Sequence, residues 1–363
     1  MDDNLEKLHE VDSILAKLAD GNDLSIEETE ELFTNLFLND EAGYYFTTAV
    51  ASIHAKGETS DELMGLVNVY KKLAEKINVN KSVNKITDLS GTGGGNFKTI
   101  NVSTAASFVV AAAGYTVGKA SNFSVTSPTG SADILATFGI DIRKLTKEQI
   151  EESLNEVGIC PFFIIYFSPR LENRARLTIK IYRGNELRVR TPFHLITNIA
   201  SPFPIESRIY GCYSERYLEV VATMFSKLGY KKTLTFYADI GLPEISNVGK
   251  TTIVEQSGEN IKRYTVKPSD LGVKEAKEDD IKTGGKEQNI VDFVRILKGQ
   301  EKGPKADLVA INAGAALYAL EDTKTIKEGV QKSKEILREG ETYRILEKLV
   351  SKLGDPKSLE AYN

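Results

Sequence analysis

Residues 88–133 constrain this chain more than any other stretch. Ile86-Thr87-Asp88-Leu89-Ser90 is short and β-like and runs straight into Gly91-Thr92-Gly93-Gly94-Gly95. Asn101-Val102-Ser103-Thr104 then leads into an alanine-rich run, 105–113, which reads as a helix stopped by Gly114, and 115–118 reads as the next strand. Strand, glycine loop, helix, strand is the βαβ rhythm of a parallel sheet. A loop without Cβ atoms lets the backbone approach a ligand closely. The helix start near Ser103 and Thr104 offers unpaired N–H groups and a partial positive charge, which suits an anion. A tight turn followed by an ordinary Ser/Thr N-cap would use the same residues, so the glycines alone leave both readings open.

A second polar segment, 119–127, follows the second strand. Lys119 is its single cation and a candidate phosphate partner, although an isolated lysine is by default a solvated surface group. Ser131 reads as the N-cap of a helix over 131–138, giving a second anion site beside the first.

Residues 4–77 read as helices only. Leu5, Leu8, Val11, Ile14, Leu15 and Leu18 recur at three- and four-residue spacing, and Ser25-Ile26-Glu27-Glu28 reads as a helix start. Further on, 159–167 is a buried apolar run, 218–228 is helical and 232–237 is a strand. Residues 250–290 are charged and strand-like, with a hairpin signal at Ser257-Gly258, and 290–297, 306–320 and 326–353 are mostly helical. The expected fold class is α/β: a small all-helical domain over 1–80, joined by part of 165–195, and a large α/β domain over 81–363 with a central, mostly parallel sheet.

Of the 363 residues, 41% are apolar and 27% charged, as in soluble globular chains. This excludes a disordered or collagen-like chain. The apolar run 108–113 is far shorter than the roughly 20 residues a membrane helix needs. The acidic, polar start shows no signal peptide, and Cys160 and Cys212 match neither a disulfide framework nor a metal spacing. The expectation is a reduced, cytoplasmic protein with no membrane partner. A net charge of −5 argues against nucleic acid. Phosphates must then be met by backbone N–H groups, a few placed cations or a metal ion.

With its motifs in order, the chain resembles the anthranilate phosphoribosyltransferase family, of the nucleoside-phosphorylase-like class, as a divergent member. Gly91, Thr92, Gly93, Gly94, Asn101, Val102, Ser103, Thr104, Lys119, Asn122, Ser127, Gly130, Ser131, Ala132 and Asp133 fit without a gap. The motifs they fit are Gly-Thr-Gly-Gly-Asp-Gly, Asn-(Ile/Val)-Ser-Thr, Lys-His-Gly-Asn-Arg, Ser-Ser and Gly-Ser-Ala-Asp. Arg190-Thr191, Phe193 and Pro202, then 241–246 and 311–314, match later motifs in outline.

The resemblance implies a nucleoside phosphorylase/phosphoribosyltransferase-type fold and Mg²⁺-dependent transfer of ribose 5-phosphate. The donor would be phosphoribosyl pyrophosphate and the acceptor anthranilate or a related aromatic amine or base, with release of pyrophosphate. It implies that Gly91, Gly94, Gly95, Thr99, Asn101, Ser103, Thr104, Lys119, Ser127 and Ser131 bind the donor. Ser103 and Glu244 would hold Mg²⁺, and Asn122 and Arg176 would meet the acceptor. Positioning and charge, rather than a covalent or acid–base residue, would supply the acceleration. A homodimer is implied as well. Two other readings are a non-catalytic or regulatory paralogue that binds a phosphate ligand, and a nucleoside phosphorylase.

The departures from the family pattern fall at chemical positions. The loop aspartate is Gly95 and the glycine after it Asn96; the histidine, glycine and arginine around Asn122 are Ala120, Ser121 and Phe123. The Asp-Glu pair expected on metal is Pro243-Glu244, with Asp239 either a substitute or a turn residue. Ser168 replaces a histidine, His194 an asparagine, and Gly-Pro-Leu becomes Thr197-Asn198-Ile199. Arg174, Arg176 and Arg183 are candidates for the acceptor carboxylate, Arg176 first, against a reading in which they form a solvated face. Changed acceptor residues argue for a changed acceptor.

Overall fold

The structure, a computed structural model, describes residues 7–80, 85–95, 97, 99–123, 130–167, 171 and 190–362. It divides into two compact units, Met1–Lys76 with Ile164–Pro202, and Ile77–Phe163 with Phe203–Asn363.

The first unit is helical. Its helices are Asp12–Ala19, Ile26–Asn39, Tyr44–Lys56, Ser60–Leu73 and the short Phe193–Ile196. Ser25 and Thr59 each cap a helix while Glu28 and Glu62 reach back to the cap N–H, so two unpaired donors are satisfied at each start. Phe33, Phe37, Phe46 and Tyr70 form an aromatic core, and Phe193 enters it, stacked 5.5 Å from Phe46. That ring ties a distant segment to this unit.

Among the described residues the second unit is built on seven strands: β1 Ile86–Gly91, β2 Thr116–Ala120, β3 Ile159–Phe162, β4 Ser207–Gly211, β5 Lys232–Ala238, β6 Thr251–Ser257 and β7 Asn260–Val266. Their order is β3-β2-β1-β4-β5-β6-β7. The first five run parallel; β6 and β7 are antiparallel, joined by the hairpin read at Ser257-Gly258. Helix Val102–Ala112 is apolar on nearly every side and almost wholly buried, as a helix enclosed on all sides must be.

Three expectations shift. The helix expected from Ala105 begins at Val102, so Ser103 and Thr104 lie inside its first turn. The stretch 326–353 is two helices, Ile326–Glu339 and Glu341–Leu353, broken at Gly340 with φ +73°. Residues 250–290 are strand only as far as Val266; from Lys286 they enter helix Lys286–Leu297, whose buried Ile290, Phe293, Val294 and Leu297 lie at helical spacing beneath the charged face. Among the described residues no helix is long and apolar enough to cross a membrane.

Candidate active site

In the parallel part of the sheet, β1 and β4 end side by side at the paired residues Gly91 and Gly211. Thr92 N–H donates to Gly211 O at 2.8 Å, and Gly93 and Gly94 then take φ of +61° and +73°, which turns the loop back. It returns onto the turn that follows β5. A Cβ added at Gly95 would stand 2.6 Å from Pro243 Cδ, and one at Gly211 would stand 1.7 Å from Pro243 O. Loop and turn therefore meet at a distance that only glycine permits. Pro243, read from sequence only as a missing aspartate, is the packing partner that fixes this contact.

Glu244 follows Pro243, and the turn is clamped behind it. Ile245 N–H donates to Asn312 Oδ1 at 3.0 Å, while Asn312 Nδ2 donates to Ile245 O and Leu308 O, each at 2.9 Å. Asn312 lies in the matched 311–314 stretch, but nothing local to it signals a clamp on a residue 67 positions away. Asp239 is exposed at the end of β5, its N–H on Lys250 O at 3.0 Å, and serves as a turn residue.

At the start of helix Val102–Ala112, Thr99 donates its hydroxyl to Ile281 O at 2.8 Å, and Asn101 occupies the cap position. Ser103 is half-buried. Thr104 is only 2% exposed, and its hydroxyl is buried without a hydrogen-bond partner among the described residues. Thr104 therefore has both its first-turn N–H and an unspent hydroxyl at the helix start.

Lys119 overturns the default reading of a solvated lysine. It sits on β2, 3% exposed, with Nζ donating to Ala120 O at 3.0 Å, and lines a small apolar cavity with Thr104, Phe108, Leu135 and Ile159. Burial lowers its pKa from the ordinary lysine value; Asp88 and Glu244 oppose that shift and Arg208 adds to it. Asp88 and Arg208, register partners on β1 and β4, form a fully buried ion pair at 3.1 Å. Asp88 also accepts from Ser90 Oγ at 2.5 Å and Ala120 N at 3.3 Å. Sequence reading missed this pair, because two charges 120 residues apart announce nothing until the register joins them. Glu244 Oε2 is buried with no partner among the described residues, and burial pushes its carboxyl up to about 7 against the pull of Lys119.

Ser131 is not a cap. Gly130 holds that position and donates its N–H to Asp133 Oδ2 at 2.7 Å; Ser131 is the first helical residue, and its Oγ accepts from Asn122 N at 3.0 Å. Asn122 O in turn accepts Ala132 N–H at 3.1 Å, so the segment after β2 and this helix start are tied together. Ser121 is turned inward onto Lys119 O, and Arg143 stacks over Phe123 at 4.9 Å. Ser127 and Arg174, Arg176 and Arg183 lie outside the described residues.

This fold and loop set define a glycosyl transferase. A family model described as the glycosyl transferase family, a/b domain, matches residues 83–343, and one described as its helical bundle domain matches residues 12–74. The anthranilate phosphoribosyltransferase of Persephonella marina is 33% identical over 92% of this chain and 96% of its own length. That of Exiguobacterium sibiricum is 34% identical over 93% and 95%. The crystal structure of the enzyme from Thermus thermophilus superposes with a TM-score of 0.85 at 31% identity, covering 94% of this chain and 99% of that one. The Saccharomyces cerevisiae enzyme in complex with PRPP and Mg shares the fold, at a TM-score of 0.81 and 21% identity over 95% of this chain and 98% of that one. The chain belongs to the anthranilate phosphoribosyltransferase family.

Proposed function

We propose that this chain transfers ribose 5-phosphate from phosphoribosyl pyrophosphate to anthranilate or a related aromatic amine, with Mg²⁺, releasing pyrophosphate. One observation carries the reading. The 91–95 loop packs on the Glu244 turn, and Lys119, which lines a cavity with the helix start at Thr104, feels the charge of that glutamate. The donor would lie on backbone N–H groups of Gly91, Gly94 and Gly95 and on Thr99, Asn101, Ser103 and Thr104. Lys119 would supply positive charge from below, and Ser127 and Ser131 would complete the set.

The residues present suit Mg²⁺. Glu244 holds an unpartnered buried oxygen, a position a divalent cation would relieve, and Ser103 adds a hydroxyl; hard oxygens of this kind are what Mg²⁺ takes. Among the described residues no three His, Cys, Asp or Glu side chains group as a cation site. Most ligands would then come from donor phosphates and water, as is usual for this ion. Bound there, it would neutralise the charge of the departing pyrophosphate.

In the reaction, the bond from the ribose anomeric carbon to the pyrophosphate oxygen breaks and its electron pair leaves with pyrophosphate. The acceptor nitrogen forms the new bond and loses a proton. The chain's own work is placement and charge: a preorganised helix start and a buried lysine need no rearrangement as negative charge grows. Asn122 and Arg176 would meet the acceptor. Ala120 and Ser121 stand where the family pattern has histidine and glycine, so the acceptors to be compared include amines related to anthranilate.

Calorimetric titration with phosphoribosyl pyrophosphate, with and without Mg²⁺, tests the cradle. Pyrophosphate release with anthranilate and a panel of aromatic amines tests turnover. Binding without release under any acceptor would overturn the transferase reading. The proposal includes a cytoplasmic homodimer; light scattering at twice the 40.0 kDa chain mass supports the dimer and a single chain mass refutes it.

A further inference from the structure

Three alternate residues of the donor segment, Phe97, Thr99 and Asn101, lean on residues 281–289. Lys282 Nζ lies 5.6 Å from the Phe97 ring centre, Thr99 pairs with Ile281 and Lys282, and Asn289 Nδ2 donates to Asn101 Oδ1 at 2.7 Å. Asn289, on helix Lys286–Leu297, is 1% exposed. Its own Oδ1 is buried with no partner among the described residues. Leaving a buried carbonyl oxygen unpaired is costly, yet this amide spends its donor on Asn101. The bond has one chemical consequence. An Asn101 amide whose Oδ1 is occupied presents Nδ2 on its other branch, and that branch can only donate, the polarity an anionic oxygen requires.

We propose that Asn289 is a positioning residue for the phosphoribosyl pyrophosphate site, acting through Asn101 by fixing which end of its amide meets the donor. The inference rests on the donor-site reading above. It gives residues 281–289, which the sequence motifs do not include, a part in donor affinity.

The test is a double-mutant cycle on the full chain, read by calorimetric titration with phosphoribosyl pyrophosphate and Mg²⁺. Asn289→Ala and Asn289→Ser lose one hydrogen bond and are expected to bind about fivefold more weakly. Asn289→Asp, of the same size, can only accept; it draws the Asn101 N–H₂ group toward itself and weakens binding at least about tenfold further, because the donor then faces a carbonyl. In an Asn101→Ala background each Asn289 change alters affinity less than about twofold. In turnover the donor KM rises while kcat stays within about twofold, a split that general loosening of the fold would not give.

An Asp variant no weaker than the Ala variant overturns the proposal. So does a loss that persists in the Asn101→Ala background, which would mean direct charge repulsion. Should the Asp chain fail to fold, the Ala and Ser chains complete the cycle with the same criterion. A wild-type chain that gives no binding heat at all refutes the donor site itself, a result distinct from a bound donor that ignores Asn289.

Discussion

A lysine held under a sheet end, beside a buried ion pair, is kept at a cost in stability. Desolvating a charge is costly, and the bond from Lys119 Nζ to Ala120 O repays only part of that cost, so an apolar side chain of similar volume removes a penalty. Lys119→Met is therefore expected to melt no lower than wild type in a thermal scan, while its affinity for phosphoribosyl pyrophosphate falls by about 1–3 kcal/mol. Unchanged affinity would remove Lys119 from the site. Removing one partner of Asp88–Arg208 has the opposite character: Asp88→Ala leaves a guanidinium buried alone and should cost about 3–5 kcal/mol in denaturant unfolding. Glu244 gives a pH signature. Its carboxyl holds its proton to about 7 in the folded chain against an ordinary value of 4.5. Between those values the folded state binds a proton that the unfolded state has released, so stability falls as pH rises through the window. Glu244→Gln should remove that contribution, and its melting temperature relative to wild type should climb from pH 4.5 to 7; a constant offset would contradict it. At this scale the sequence showed which residue types a phosphate site would need. It could not show that Lys119 is buried, because a lysine near the end of a five-residue strand looks the same whether water or protein lies beyond.

Elements were more legible than their edges. The glycine loop, the helix after it and the β6–β7 hairpin stand where the residues put them, since turn chemistry and helical periodicity are local properties. The helix start was misread because Asn101, Ser103 and Thr104 are all capping types, and only the fold selects Asn101. Gly130 caps without a side chain because Asp133 reaches back to its N–H, so Ser131 is left to bind Asn122. The turn carrying Glu244 depends on contacts from far along the chain. Asn312→Ala would leave the buried Ile245 N–H and C=O unpaired and is expected to cost about 2–4 kcal/mol by chemical denaturation, with weakened Mg²⁺ binding.

For the whole molecule, the division into a helical unit and an α/β unit follows from where the apolar periodicity changes near residue 85. Residues 164–202 group with the helical unit, where part of 165–195 is expected, and among the described residues of that segment the Phe193 ring enters its aromatic core. Phe193→Ala empties a position shared by Phe33, Phe37, Phe46 and Tyr70 and is expected to cost about 3–5 kcal/mol, seen as earlier unfolding of the helical unit in hydrogen exchange. Gly95 and Pro243 bear on how a chain like this can change. Each occupies a place where the family pattern has a carboxylate, and the Pro243 ring stands where a side chain at 95 would go. A mutational path that restores the acid at 95 first meets that ring, with Gly241 O beside it. An engineer hoping to recover the loop carboxylate would have to begin at Pro243.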